Sequence, residues 1–384
     1  MLGFALCLSR GRYMSAIAFS VRFLLAGLTA AVLVAGRAVA EDWPGADWTR
    51  RPVAPGPALA AFEAYAFPPR DDERSGVRSD AVVAIRDGVL VYERYAAPTT
   101  ADTPHLVWSV SKSLLACLLG VAYGEGRFGL DDPAARYYPP LAAHPALHMR
   151  HLLNWTSGLA WEEDYEYSPL TSSVIAMLYT RGHADMGRFV AQHQAGAAPG
   201  THFSYSSGDS LLLAAVLKGM LPAEQYADYP WAVLFEPLGI GSAVWERDAT
   251  GTFVGASYAY LNARDLARVG LLMLRDGRWG EHRLLPEDWV AFNRSPVPGY
   301  RPRAESLVPG GHWWLNLPLE GAPPPWPDVP EDTFAALGHW GQALYVLPKE
   351  KLVIVRFADD RDASYRHNDF LRLARAAFVV GEAP

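Results

Sequence analysis

Two nearly continuous apolar stretches, Ala81-Val82-Val83-Ala84-Ile85 and Val89-Leu90-Val91-Tyr92, lie on either side of Asp87-Gly88. An Asp-Gly link suits a tight hairpin because both positions take positive φ at little cost, so residues 81–95 are expected to form a β-hairpin. The next pattern is helical. From Leu114 to Val121 almost every position is apolar, which reads as a helix buried on nearly all sides and starting near Ser109. Gly129-Leu130-Asp131-Asp132-Pro133 supplies the turn after it. Apolar residues then recur at helical spacing over 172–179, 185–194, 210–220 and 263–275, the last headed by Asn262 as a cap. Residues 296–330 hold ten prolines with Trp313, Trp314 and Trp326, the composition of a long ordered loop system. Strand patterns return at 343–347 and 352–357 around Pro348-Lys349-Glu350, and 369–379 reads as an amphipathic helix.

Strands at both ends with helices between them imply one antiparallel sheet flanked by helices, an α/β arrangement of α+β type with an inserted helical lobe. The sheet part takes in about 41–125 and 285–384, and the lobe about 126–284, within a single domain. Residues 41–75, rich in Pro, Ala and Trp, carry no regular pattern and read as a wrapping segment.

The first 40 residues change the picture of where the chain works. Arg10, Arg12 and Arg22 precede an apolar run from Phe23 to Val34, and Ala38-Val39-Ala40 offers a cleavage site. This is the pattern of an export signal, so a periplasmic or secreted protein is expected, with no membrane contact unless the segment stays uncleaved. Met14 is an alternative start. Without residues 1–40 the chain keeps 30 basic and 41 acidic residues, a net charge of −11, which argues against nucleic acid as a partner. Cys117 then remains as a lone thiol inside the apolar helix, packed and inert.

Candidate chemistry gathers where that helix begins. Ser109 and Lys112 stand one turn apart and share a face. A serine hydroxyl attacks only when a neighbour takes its proton, which a neutral lysine can do and an arginine cannot. Burial and the positive end of the helix dipole both favour the neutral amine. Among four lysines and 30 arginines, Lys112 is the one lysine beside an apolar run. Taken alone, the pair reads equally well as a helix-start lysine that reaches back to water.

Three further groups carry weaker signals. Tyr205, on a loop before the 210–220 helix, suits a proton relay beside an amine, or is simply a half-buried aromatic. Gly338, just before a late strand, lets backbone approach a substrate, so that a free N–H there joins that of Ser109 as an oxyanion donor; a plain bend at a strand start fits as well. His144, His148 and His151 have the spacing of ligands on a helix, but Pro145 and the missing His-Glu-x-x-His pattern leave ordinary loop histidines as the default. No metal or organic cofactor is expected.

Together, Ser109-Val110-Ser111-Lys112, Tyr205-Ser206-Ser207 and His339-Trp340-Gly341 resemble, in order, the Ser-x-x-Lys, Tyr-x-Asn and Lys-Thr-Gly or His-x-Gly elements of the serine β-lactamase-related hydrolases. That group includes class C β-lactamases, D-alanyl-D-alanine carboxypeptidases, esterases and 6-aminohexanoate-dimer hydrolases. Leu130-Asp131-Asp132-Pro133, Leu152 to Leu159, Phe235 to Gly239 and Ala263 to Arg268 are similar to family text as well. The resemblance implies a β-lactamase/transpeptidase-like fold with the site between sheet and lobe. It implies acylation of Ser109, acid and base work shared by Lys112 and Tyr205, and an oxyanion hole from the backbone N–H groups of Ser109 and Gln342. A small ester or amide is the expected substrate, bordered by Ser207, His339, Trp340 and Gly341.

Departures from the family pattern bear on the substrate. Ser207 stands where Asn is common, and His339 replaces the lysine that helps hold a β-lactam carboxylate, so a penicillin fits less well. Trp155 replaces a histidine of the Leu-Leu-x-His-Thr-Ser-Gly-Leu element. Trp161-Glu162-Glu163-Asp164-Tyr165 resembles the aminohexanoate-dimer branch, in which a tyrosine borders the substrate, the place of Tyr165 here. Its acids suit a substrate amine or are solvated loop carboxylates. The alternatives are a β-lactamase or carboxypeptidase, and a catalytically silent receptor for peptidoglycan fragments.

Overall fold

The computed structural model describes residues 43–302 and 306–379; the expected export signal, residues 1–40, lies outside them. The strands that build the main sheet are β1 (Ser79–Arg86), β2 (Val89–Tyr95), β3 (Val308–Pro309), β4 (Trp314–Leu315), β5 (Phe334–Gly338), β6 (Gln342–Leu347) and β7 (Leu352–Ala358). Five helices matter for the site: α1 (Pro57–Ala66), α2 (Val110–Gly124), α3 (Ser207–Met220), α4 (Ala263–Leu274) and α5 (His367–Phe378).

The first hairpin turns at Asp87 and Gly88, with φ of +51° and +83°, the left-handed pair that the Asp-Gly link predicts. β1 then pairs antiparallel with β7, which joins both hairpins into one open sheet of order β2-β1-β7-β6-β5-β4-β3. Its strands read as unbroken apolar runs because both faces are covered. Along β7, Val353, Val355 and Phe357 enter the core shared with α2 and α4, while Leu352 and Ile354 enter the core shared with α1 and α5. Each such fully buried side chain contributes about 1.5–3 kcal/mol. Gly270 of α4 lets that helix sit close to the sheet, since a methyl there would lie 2.4 Å from Val353. Residues 263–274 therefore pack on the sheet and not in the lobe.

Helix starts follow their caps. Ser172, Asp185, Ser206 and Asn262 each accept a backbone N–H three residues on, opening helices at 173, 186, 207 and 263. α1 falls in the segment expected to lack pattern. Proline at its first position presets φ, and only Phe62 and Ala66 are buried, too few to show a period. Within 296–330 the loop is ordered around Asn316, whose amide donates to the carbonyls of Trp326, Val329 and Pro330 and accepts from Trp326 N–H. The two-residue strands β3 and β4 lie there, too short to leave an alternation. β4 pairs with β5 only at Phe334 and Ala335, so the end of β5 at Gly338 keeps a free edge beside the start of α2.

Candidate active site

The chain enters α2 through a strained turn. Trp108 holds φ of +48°, a conformation that costs about 1–3 kcal/mol for a bulky residue unless packing enforces it. Here the indole is wedged against Tyr165, Tyr258, His339 and Trp340 at centroid distances of 5.2–6.4 Å. Backbone bonds Ser111 N–H to Trp108 O and Lys112 N–H to Ser109 O close the first turn. Ser109 occupies the N-cap position without using its side chain as a cap, so the hydroxyl is free to face the groove.

Lys112 lies beneath it, 1% exposed. Its Nζ stands 2.9 Å from Ser109 Oγ, 3.0 Å from Ser207 Oγ and 2.9 Å from the Ala256 carbonyl. Burial lowers its pKa from 10.5 to about 8, while the charge of Glu163 acts in the opposite direction. The Tyr205 hydroxyl reaches the Ser109 side chain, and its pKa is driven far above that of an ordinary phenol by burial first and by Glu163 second. The upward shift favours the neutral hydroxyl. Lys112 Nζ also lies 5.0 Å from the Tyr205 ring centre, a cation–π contact when the amine is charged.

An aromatic wall fixes Tyr205. Its ring packs on Trp155 at 4.9 Å and Trp314 at 5.6 Å. Trp155, the residue that departs from the family histidine, stacks in turn on His312 at 4.4 Å. His312 is anchored by Leu153 O at 2.7 Å and Ser210 Oγ at 2.9 Å, and burial pushes its pKa down to about 3, so the ring is neutral.

Gly338 sits where the free end of β5 meets this turn. A Cβ there would lie 2.5 Å from Val107 O and 3.2 Å from Ser109 N, so the absent side chain keeps the space in front of the Ser109 N–H open. Gly341 has φ of +87°, and a Cβ on it would strike the buried Arg356–Asp360 ion pair. Arg356 Nη1 donates to Gly341 O at 3.1 Å, and the Gln342 side chain turns away to bond Ala358. The Gln342 side chain is therefore committed to the protein.

At the rim, Tyr165 stacks on His339 at 5.2 Å. His339 Nε2 lies 3.3 Å from Glu166, burial lowers its pKa, and Trp340 Nε1 approaches the same carboxylate at 3.4 Å. The other sequence candidates lie elsewhere. His148 N–H donates to His151 Nδ1, and His144 Nε2 meets Ala191 O; among the described residues no group of three or more potential ligands gathers to hold a metal. Burial pushes the Cys117 thiol up to about 12.

A sequence comparison matches residues 62–378 to the family described as Beta-lactamase. The chain belongs to the beta-lactamase family. A 6-aminohexanoate-dimer hydrolase of Paenarthrobacter ureafaciens is 27% identical over 357 residues, 85% of each chain. Among solved structures, EstCE1, described as a hydrolase with promiscuous acyltransferase activity, superposes with a TM-score of 0.63 at 18% identity, covering 84% of this chain and 98% of its own. A class C beta-lactamase mutant gives 0.59 at 16% identity, covering 83% and 96%. The beta-lactamase/transpeptidase fold expected from the sequence is thus the fold observed.

In this beta-lactamase-family chain, Glu163 is the residue that its sequence context left unmarked as structural. It looked like one of three loop acids, but its carboxylate accepts from Ser207 N–H at 2.8 Å, Ser207 Oγ at 2.5 Å and Trp161 Nε1 at 2.5 Å. Glu162 is exposed, and Asp164 binds the N–H groups of Glu166 and Tyr167. The flanking Trp161 was the available signal, an indole donor two residues from a carboxylate. His312, Trp314 and Trp108 gave none beyond being aromatic or positioned before Ser109.

Proposed function

We propose that this beta-lactamase-family hydrolase cleaves a small ester or amide through an acyl-enzyme on Ser109. The observation that carries the reading is a buried amine, with a pKa of about 8, held 2.9 Å from the Ser109 hydroxyl. Neutral Lys112 takes the Ser109 proton as Oγ attacks the carbonyl carbon. The oxyanion is received by the N–H groups of Ser109 and Gln342. Tyr205, its phenol kept protonated by burial, passes the proton from Lys112 to the leaving alkoxide or amine. Water then hydrolyses the ester on Ser109 with the same relay reversed.

The rim favours uncharged or amine-bearing substrates over a penicillin. His339 is held neutral by burial and faces Glu166, so it supplies no cation for a carboxylate. Ser207 and Trp155, two of the departures from the family pattern, hold Lys112 and back Tyr205.

A fluorophosphonate probe is expected to add one phosphonyl group to the peptide bearing Ser109, at a rate that rises as pH passes through about 8. Modification of any other residue would sink the reading. Incubation with a short-chain nitrophenyl ester, an aminohexanoate dimer and a penicillin, followed by intact-mass measurement, then ranks the substrates, with the penicillin adding least.

Gly338→Ala provides a second check. Its methyl would land 3.2 Å from Ser109 N, so loss of about 10²-fold in kcat/KM is expected, the effect of one oxyanion donor. Contact with Val107 O adds a stability cost of about 1–3 kcal/mol. Wild-type kcat/KM in the folded variant would place the oxyanion elsewhere.

A further inference from the structure

We propose that Glu163 is a positioning residue that aims the lone pair of Lys112 at Ser109 by fixing the hydrogen of Ser207. The inference rests on the Ser109 reading and adds a part to it that none of the motifs supplies.

A neutral lysine amine has two N–H bonds and one lone pair. Lys112 Nζ has three oxygen partners, so one of them must face the lone pair. The Ala256 carbonyl can only accept. Ser207 has a single hydrogen, and the 2.5 Å contact to Glu163 Oε1 claims it, because a hydroxyl donating to a carboxylate makes the shorter and stronger bond. Ser207 therefore also accepts from Lys112. Ser109 is the partner left for the lone pair, and its hydrogen points along the path of the proton transfer.

The surroundings leave Glu163 as the group that sets this direction. Tyr205 lies above the amine, and Tyr165, whose hydroxyl also meets Ser207, flanks it; burial keeps both as phenols. His312 behind is neutral. Asp209, two residues on in α3, has a pKa raised to about 7 by burial and accepts from Ser157. Glu163 contributes the charge that acts on Lys112. Its three accepted bonds leave it committed to the protein, so it is not the carboxylate that greets a substrate amine; at the rim Glu166 is more exposed.

Glu163→Gln tests the geometry with near-identical shape. Both Trp161 Nε1 and Ser207 N–H donate to Oε2, so the amide oxygen of the glutamine must take that place and its NH2 must face Ser207 Oγ. Ser207 then accepts from glutamine and turns its hydrogen onto Lys112, capturing the lone pair. The expected result is a fall of about tenfold or more in kcat with KM little changed, part of the ~10²–10⁴ that a general base supplies. With the neighbouring charge gone, the acid limb of the kcat/KM profile moves to lower pH. Removing the misdirected hydroxyl in Glu163→Gln/Ser207→Ala is expected to restore activity above the single variant, which a purely structural loss does not predict. An unmoved acid limb, or a double variant weaker than the single one, overturns the proposal. Fluorophosphonate labelling of the wild type at Ser109 separates the two readings: without it the Ser109 mechanism fails, and with it only the role of Glu163 is at stake.

Discussion

Ser109→Ala is expected to lower kcat/KM by at least about 10⁴-fold and to abolish fluorophosphonate labelling, because the proposed relay is left with no hydroxyl to deprotonate. The fold is expected to be indifferent. Ser109 makes no side-chain capping bond to α2, so the helix keeps its start, and the hydroxyl borders the groove, where water replaces it as a partner for Lys112. The net change in stability should stay within about 1 kcal/mol. The measurements are burst and steady-state turnover of a nitrophenyl ester beside a denaturant midpoint. Retained burst chemistry in a folded Ser109→Ala protein would move the nucleophile elsewhere.

Lys112→Met is expected to cost about 10²–10⁴-fold in kcat/KM, the range of a lost general base, and it also changes how stability depends on pH. The folded lysine has a pKa of about 8 against an ordinary value of 10.5. Below about pH 8 both folded and unfolded chains hold the proton, and the folded state bears the cost of a buried charge. Between about 8 and 10.5 only the unfolded chain holds it, so wild-type stability rises with pH, by about 3 kcal/mol across the full window. The methionine variant lacks this rise. Removing the charge relieves the folded state at pH 7, while the orphaned Ala256 carbonyl costs about 1–3 kcal/mol in return. Denaturant midpoints at pH 7 and pH 9.5 are therefore expected to diverge, with wild type gaining relative to Lys112→Met. Parallel curves would mean that Lys112 titrates normally and cannot serve as the base.

Much of the fold was legible because the information is local. Asp87-Gly88 specifies its turn, Asn262 its cap, and Leu114 to Val121 a helix that must be buried. Among the elements that escaped notice, α1 buries few side chains, β3 and β4 hold two residues each, and β5 is a five-residue strand without alternation. The Ser109–Lys112 pair was legible for the same reason, since both residues lie within one helical turn. Glu163 was not, because its partner Ser207 lies 44 residues away and the neighbouring acids Glu162 and Asp164 have the same local chemistry. Along the chain only Trp161, two residues before Glu163, hints at which of the three turns inward.

The sequence by itself determined the hairpins, the buried helix, and a serine and an amine on one face of its first turn. Only the tertiary structure buried that amine against the hydroxyl, the setting on which its proposed role as a base rests. Its pKa depends on losing water on every side, and its lone pair depends on partners from three other segments, at Glu163, Ser207 and Ala256. These meet Lys112 only once the lobe closes over the start of α2. Solvation and hydrogen-bond direction are properties of that enclosure and not of any stretch of chain.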